Sequence, residues 1–160
     1  MSETIIGYIN LIGENELIFL EGFIREKTVF GFKFEDKLSL FNYPTDLLLR
    51  NDIVQFVISD SNTLNTATIL LNEQDYDLSD DSESLFQKKF PALLSDRILE
   101  VAKIIKSLLS CKMVLELGVS FSSCDEIEQI KRVSVGSFES LIVSDCMRDC
   151  PPNVLYIIDK

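Results

Sequence analysis

Four cysteines are the side chains with the clearest potential for metal or redox chemistry in this sequence, which contains no histidine. They lie in the last third of the chain, at Cys111, Cys124, Cys146 and Cys150. Without histidine a zinc site would need cysteine ligands alone, and the only close pair, Cys146 and Cys150, lacks the paired short spacings of a zinc ribbon. We therefore expect no metal, no cofactor and no disulfide framework, and we interpret the cysteines as small buried thiols.

The absence of histidine also removes most enzyme classes. Serine and cysteine hydrolases usually need an imidazole to accept the proton of the nucleophile, and general acid–base work at neutral pH falls to it most often. Carboxylates are spread through turns and one acidic segment, and the six glycines form no phosphate-binding pattern. We therefore expect no catalytic residue and a noncatalytic function.

Aromatic and basic residues are interleaved in the first quarter of the chain, as in proteins that stack bases and follow phosphates. Alternating phenylalanines on a strand are also what a core requires, and that alternative stays open for most of them. Neighbouring glutamates would weaken the local positive field. The candidate nucleic-acid-binding residues are Tyr8, Phe19, Phe23, Arg25, Lys27, Phe30, Phe32 and Lys33.

The elements that would position these residues are short strands. Alternation and turn residues predict five of them, with a connecting loop at Leu38–Arg50. Five short strands without a long helix are typical of a small closed OB-type barrel, which we expect over residues 1–72. The predicted strands are Thr4–Ile12, Leu17–Leu20, Lys27–Glu35, Asp52–Ser59 and Thr66–Leu71.

The order of motifs in this region resembles a cold-shock domain. The matching segments are Gly7-Tyr8-Ile9, Ile18-Phe19-Leu20, Thr28 to Phe34, Leu49 to Phe56 and Ala67-Thr68-Ile69, and the likeness covers Ile5 to Leu71. The resemblance implies an OB-like barrel whose aromatic residues stack on single-stranded nucleic acid. However, Asn15 to Leu20 replaces the family's K-G-F-G-F-I motif, and the histidine of its V-F-V-H-F motif is missing. The resemblance therefore favours the fold over the usual binding site.

An acidic segment at residues 73–90 separates this region from the rest of the chain. Residues 73–83 hold six carboxylates and no base. A run of like charge is typical of a solvated hinge, and the alternative is a tether that docks on a basic partner or accepts phosphate on Ser79 or Ser82. Asp77, Asp80 and Asp81 are the candidate partner-binding residues here.

A long amphipathic helix is predicted over residues 91–110. Its apolar stripe comprises Leu94, Ile98, Val101, Ala102, Ile105, Leu108 and Leu109. Leu93, Leu99 and Ile104 fall outside the stripe, which suggests a second contact surface for a partner or for a homo-oligomer.

The remaining residues complete a predicted α+β unit at 91–160. Alternation predicts a strand from Met113 to Phe121, and further strands are expected at Arg132–Val135, Ser140–Val143 and Val154–Ile158, with a helix starting in Ser123–Lys131. The fold class expected for the whole chain is mainly β or α+β.

Charge and hydropathy limit the function classes. The formal net charge is −11 and the isoelectric point is near 4.4, which disfavours whole-surface binding to nucleic acid. No apolar run is long enough to span a membrane, and the first residues do not resemble a secretory signal, so we expect an intracellular protein.

Three noncatalytic functions fit these observations. The first is a protein-interaction adaptor, in a ribonucleoprotein or chromatin-associated complex. The second is a single-stranded RNA- or DNA-binding protein with a reduced stacking surface. The third is an acidic inhibitor, such as an immunity protein, for a basic nuclease.

Overall fold

The computed structural model describes residues 5–35, 43, 44, 46, 49–59, 98–120, 127–146 and 153–160. Six strands and three helices lie within these residues. In chain order they are β1 (Ile5–Asn10), α1 (Glu14–Arg25), β2 (Gly31–Glu35), β3 (Ile53–Ser59), α2 (98–110), β4 (Glu116–Ser120), β5 (Gln129–Ser134), α3 (Val135–Cys146) and β6 (Val154–Asp159). The mixed composition agrees with the expected α+β class.

The six strands form one open sheet in the order β2-β3-β1-β4-β6-β5. All neighbouring strands are antiparallel except β5 and β6, which are parallel. Strand β1 lies inside the sheet, where Tyr8 is flanked by Gln55 of β3 and Gly118 of β4. The described strands from both predicted units therefore share one sheet, and the five-stranded barrel is not confirmed.

Helix α1 replaces the strand that was expected at Leu17–Leu20, so that prediction is wrong. Leu20 and Ile24 are buried one turn apart, and Leu17 is half-buried on the same side. At the start of α1 the Glu16 carboxylate accepts a hydrogen bond of 3.1 Å from the Gly13 N–H. The apolar run suggests a strand over four residues, but burial follows the helical period over twelve.

Helix α3 likewise replaces the strand that was predicted at Ser140–Val143. It buries Phe138, Ile142 and Asp145, which recur at helical spacing. The helix expected in Ser123–Lys131 is also wrong where the structure describes it, because Gln129–Ser134 is strand β5. The other C-terminal strand predictions are confirmed by overlap: β4 lies within Met113–Phe121, β5 overlaps Arg132–Val135, and β6 overlaps Val154–Ile158.

The main core lies between the helices and one face of the sheet. The described residues of the stripe predicted for α2 are all buried in it: Ile98, Val101, Ala102, Ile105, Leu108 and Leu109. Ile104 is buried too, although it was expected outside the stripe. The buried face of α2 is therefore wider than the heptad-like spacing indicated.

A second, smaller cluster lies on the other face of the sheet. Its members are Ile6, Tyr8, Tyr43, Ile53, Leu155 and Ile157. The rings of Tyr8 and Tyr43 meet edge to face at 6.1 Å, and the Tyr43 hydroxyl donates a 2.7 Å hydrogen bond to the Ile6 carbonyl. Both faces of the central strands are therefore buried.

Several expectations lie outside the described residues. They are the predicted strand Thr66–Leu71, the acidic segment 73–90 with Asp77, Asp80 and Asp81, and Leu93 and Leu94 at the start of the predicted helix.

Candidate functional site

Three of the eight candidate nucleic-acid-binding residues are buried. Phe30 and Phe32 belong to the core between the helices and the sheet, and Tyr8 belongs to the cluster on the other face. The Tyr8 hydroxyl donates a 3.1 Å hydrogen bond to the Glu116 carboxylate. In this fold these rings support the sheet and do not present a face to a base.

Three other candidates come together at the surface of α1. The rings of Phe19 and Phe23 stack with centroids 6.4 Å apart and an interplanar angle of 17°. The Lys27 ammonium lies 3.9 Å from the centroid of the Phe23 ring, which is a cation–π contact. These residues form the aromatic part of the exposed surface of α1.

The remaining two cations are engaged with carboxylates. Arg25 pairs with Glu21 at 3.2 Å, and its Nε donates a 2.7 Å hydrogen bond to the Phe32 carbonyl. Lys33 pairs with Glu35 at 3.3 Å. Because each positive charge has a nearby carboxylate, the positive field that a phosphate would meet is reduced.

The predicted partner-binding residues of α2 differ in their exposure to solvent. Leu99 is exposed, whereas Ile104 is buried in the core. Among the partner-binding residues proposed from the sequence, only Leu99 is therefore exposed on the described part of this helix.

A group of four large apolar residues at one end of the sheet was not anticipated. Leu11, Leu49, Met113 and Leu115 are each 54% to 76% exposed. We call these four residues the sheet-end surface. They lie next to the end of β1, the start of β3 and the start of β4.

Hydrogen bonds to Asn10 and Asp52 hold these segments together. The Asn10 side-chain oxygen accepts 2.7 Å hydrogen bonds from the N–H groups of both Leu115 and Glu116. The Leu11 N–H donates to the Asp52 carbonyl. Since Ile9 pairs with Leu117, continuing the antiparallel register places Leu11 opposite Leu115. The strand ends are therefore fixed although their apolar side chains face solvent.

Charged residues form an ordered border beside the sheet-end surface. Arg50 donates to the Glu116 carboxylate at 2.7 Å and to both Asp52 carboxylate oxygens, at 2.8 and 2.6 Å. The hydrogen bond to Asp52, with further help from Glu116, raises the pKa of Arg50 above its usual value. Burial, and then the Glu116 carboxylate, raises the pKa of Tyr8 well above 10.

The charged residues of this border have a structural role. The Arg50 guanidinium stays charged and the Tyr8 phenol stays neutral at physiological pH, and both are hydrogen-bonded to Glu116. Such a network positions residues 49–52 against β4. Within the described ranges no group of three or more cysteine, aspartate or glutamate residues is placed to hold a metal ion.

The sequence contains a partial signal for the sheet-end surface. Leu11 continues the apolar alternation of β1, and Met113 and Leu115 continue that of β4. This alternation predicts burial, so these residues were assigned to strands. Exposure arises because the alternation extends beyond the paired part of the sheet, which the sequence alone does not reveal.

Comparisons with known proteins give no relative. No family model, no curated protein and no solved structure matches the chain. No described helix has the length and apolar character that a membrane-spanning segment needs.

Proposed function

We propose that this protein is a noncatalytic adaptor that binds a partner protein through the sheet-end surface. The observation that carries the proposal is the grouping of Leu11, Leu49, Met113 and Leu115, all at least half exposed, at one end of the sheet. Single exposed apolar residues are ordinary on protein surfaces, whereas grouped ones mark interaction sites.

The energetic argument depends on burial upon binding. Moving one leucine or methionine side chain from water into an interface contributes roughly 1.5–3 kcal/mol. Leu11 and Leu115 lose little backbone entropy when they bind, because hydrogen bonds already hold their N–H groups. Arg50, Asp52 and Glu116 would then form a polar rim around an apolar centre, the usual arrangement of a protein interface.

The experiment is affinity capture from an extract of the native source, with wild-type protein and Leu115→Ser. We expect wild type to retain a defined partner and Leu115→Ser to lose at least about tenfold of it, because a serine cannot fill an apolar pocket of the partner. Quantitative binding to the isolated partner then gives the change in Kd.

Ile130→Ser is the matched control. Ile130 is 55% exposed, compared with 69% for Leu115, but it lies opposite Leu155 in β6, towards the other end of the sheet. This variant should bind the partner like wild type. Equal binding by Leu115→Ser and wild type, or the absence of any specific partner, contradicts the proposal.

A second candidate function is binding of single-stranded nucleic acid at α1. It is favoured by the stacked rings of Phe19 and Phe23 with Lys27 above one of them. Glu14, Glu16 and Glu26 in the same segment oppose it through charge repulsion. A titration of the protein with a short single-stranded RNA at low salt tests this function. Binding that is weakened by added salt and by Phe19→Ser supports it, whereas the absence of binding excludes it.

A further inference from the structure

The outward side of α1 carries two large apolar residues that its own fold does not use. Ile18 and Phe19 are each 76% exposed. Leu20 and Ile24, on the opposite side of the helix, are buried and anchor α1 to the core. Apolar side chains that are exposed together mark a contact with another molecule. The residues around Phe19 indicate which kind of molecule covers this face.

The residues that surround Phe19 on α1 form a strip along the helix. At about 100° per residue, they are the positions whose side chains leave the helix within about 60° of Phe19. Glu26 is included because its backbone is still helical, with φ −70° and ψ −20°. All are exposed except Phe23, which is half-buried. We call this set the outer strip, and its members are Asn15, Glu16, Phe19, Gly22, Phe23 and Glu26.

One of the two rings in the outer strip already holds a cation. The Lys27 ammonium lies 3.9 Å from the centroid of Phe23, and the Phe19 ring stacks on Phe23 at 6.4 Å. Among the described residues no cation lies over Phe19. Gly22, one turn further along, has no side chain that could cover this ring, and a Cβ added there would meet no atom within 4 Å. The Phe19 ring is therefore open to a cation from another molecule.

Two carboxylates of the outer strip flank Phe19. Glu16 lies about 4.5 Å before it along the helix axis and Glu26 about 10.5 Å after it, at about 1.5 Å per residue. In the described part of the chain neither carboxylate has an ion-pair partner, whereas Arg25 is paired with Glu21. The capping hydrogen bond of Glu16 leaves its negative charge in place. Negative charge that the fold does not neutralise thus lies on both sides of an open aromatic ring.

We infer that the outer strip binds a basic segment of a partner protein, with an arginine stacked on Phe19 and further basic residues paired with Glu16 and Glu26. Arginine suits this position because its planar guanidinium stacks on a ring and still directs hydrogen-bond donors at carboxylates. Apolar side chains of the same segment cover Ile18. The two carboxylates attract such a segment and repel phosphate, so charge favours a basic protein over a nucleic acid.

This inference adds a second docking surface to the proposed function and does not depend on it. An adaptor has to hold two molecules, and the outer strip is distinct in composition from the sheet-end surface. The sequence suggested Phe19, Phe23 and Lys27 as ligands of nucleic acid. In the structure Lys27 is directed at a ring of its own chain, which leaves the carboxylates as the charges beside Phe19.

The first experiment is a fluorescence anisotropy titration of the full chain at low salt. The probe is a labelled helical peptide of about fifteen residues, with arginine at every third or fourth position and leucine beside each arginine. Wild type should bind it, Phe19→Ser should bind at least about tenfold more weakly, and a peptide with glutamine in place of arginine should not bind. Val29→Ser is the matched control, because Val29 is 75% exposed but lies outside α1.

Three results of this titration overturn the inference. They are the absence of peptide binding by wild type, equal binding by wild type and Phe19→Ser, and equal binding of the arginine and glutamine peptides. Circular dichroism verifies that each variant is folded, so a loss of binding by Phe19→Ser is not a loss of structure.

The second experiment separates the outer strip from the general attraction of an acidic chain for a basic peptide. Glu16→Gln/Glu26→Gln should weaken binding at least about tenfold, and glutamine at position 16 can still accept the capping hydrogen bond. Glu128→Gln/Asp159→Asn removes the same charge from two exposed residues of other elements and should change binding less than about twofold. Equal losses for the two double variants would mean that net charge alone attracts the peptide, and the inference would then be wrong.

Two further comparisons distinguish this inference from the other proposals. Leu115→Ser should bind the peptide like wild type, because the sheet-end surface is not part of the outer strip. If wild type captures a partner that Leu115→Ser loses, but does not bind the peptide, this inference alone fails. If single-stranded RNA binds and Phe19→Ser abolishes that binding, the face takes nucleic acid and the inference is overturned.

Discussion

At the residue scale, two glycines of the central strands make room for aromatic rings. A Cβ at Gly7 would overlap the Phe56 ring, and a Cβ at Gly118 would overlap the Tyr8 ring. The Tyr8 ring therefore lies against Gly118 of the neighbouring strand β4. The sequence suggested Tyr8 as a base-stacking residue. Gly118, against which the ring packs, is more than a hundred residues away, so this contact is not visible in the sequence around Tyr8.

Replacement of Gly118 by alanine tests this contact. We expect Gly118→Ala to lower the free energy of unfolding by about 2 kcal/mol or more, because the added methyl group displaces the Tyr8 ring in a filled core. Gly136→Ala is the matched control, since nothing lies within 4 Å of its added Cβ, and it should gain up to about 1 kcal/mol. Urea unfolding followed by circular dichroism measures both, and equal effects would contradict the prediction.

Tyr43 supplies a prediction about pH. Burial, and then the neighbouring Tyr8, raises the pKa of Tyr43 well above its usual value of 10.0. Below pH 10 the phenol is neutral in both the folded and unfolded states, so its contribution is constant. Above pH 10 it ionises only in the unfolded chain, so stability should fall by about 1.4 kcal/mol per pH unit from this group.

Tyr43→Phe removes that group and shows its share of the pH dependence. At pH 8 the variant should be about 1 kcal/mol less stable, because it loses the hydrogen bond to the Ile6 carbonyl. Between pH 10 and 11 it should lose less stability than wild type does. Parallel pH profiles for the two proteins in urea unfolding would show that Tyr43 does not titrate as argued.

At the element scale, the alternation of apolar and polar residues predicted the strands well, and the helical spacing of apolar residues predicted α2. All six described strands overlap expected segments, although β5 begins three residues before the strand predicted at Arg132–Val135. Helices α1 and α3 were mistaken for strands because Leu17–Leu20 and Ser140–Val143 are short apolar runs that fit either structure. Packing against the sheet decides between them, and packing is not visible in a four-residue window.

Helix α2 allows a direct test of which residues are core. Ile104→Ala should cost about 3 kcal/mol, because Ile104 is 1% exposed and its removal leaves a cavity. Leu99→Ala, at an exposed position of the same helix, should cost less than about 1 kcal/mol. Urea unfolding of the two variants is the measurement. A larger loss of stability for Leu99→Ala than for Ile104→Ala would contradict the observed orientation of α2, in which Ile104 faces the core.

Helix α1 also closes an edge of the sheet. The Phe34 N–H of edge strand β2 donates a 3.0 Å hydrogen bond to Glu21, and the Phe32 carbonyl accepts one from Arg25. The Glu21–Arg25 pair thus occupies backbone groups that would otherwise bind another strand. Edge protection of this kind comes from a contact between elements, so it could not be read from the local pattern.

Removing the pair should make the protein aggregate. We expect the double variant Glu21→Ala/Arg25→Ala to aggregate several-fold faster than wild type at equal concentration, as measured by light scattering, because β2 then presents free backbone groups. Lys106→Ala is the control, since it breaks an exposed ion pair with Glu139 away from β2. Equal rates for all three proteins would show that the pair does not protect the edge.

At the scale of the whole molecule, the sheet joins the two ends of the sequence. Strand β1 pairs with β3 on one side and with β4 on the other, and the main core contains residues from Ile5 to Ile158. The sequence suggested two units because an acidic segment lies between them. Local patterns identify strands but do not specify which strands pair across such a distance.

The shared sheet predicts one cooperative unfolding transition. Circular dichroism and tyrosine fluorescence should give coincident urea curves for the full chain. The fragments 1–72 and 91–160 should each be unfolded when isolated. Strands β1 and β4 pair with each other, and each fragment contains only one of the two. Two separated transitions, or a folded fragment 1–72, would instead support independent units.

The interior position of β1 also affects how the chain is made. A ribosome completes β1, β2 and β3 about sixty residues before it completes β4, which at about 5–20 residues per second leaves an interval of roughly 3–12 s. The Glu21–Arg25 pair can already cover β2 during that time, whereas the side of β1 that contacts β4 has no partner yet. The growing chain, and not the finished protein, is therefore the stage at which this sequence is most exposed to pairing with the wrong strand.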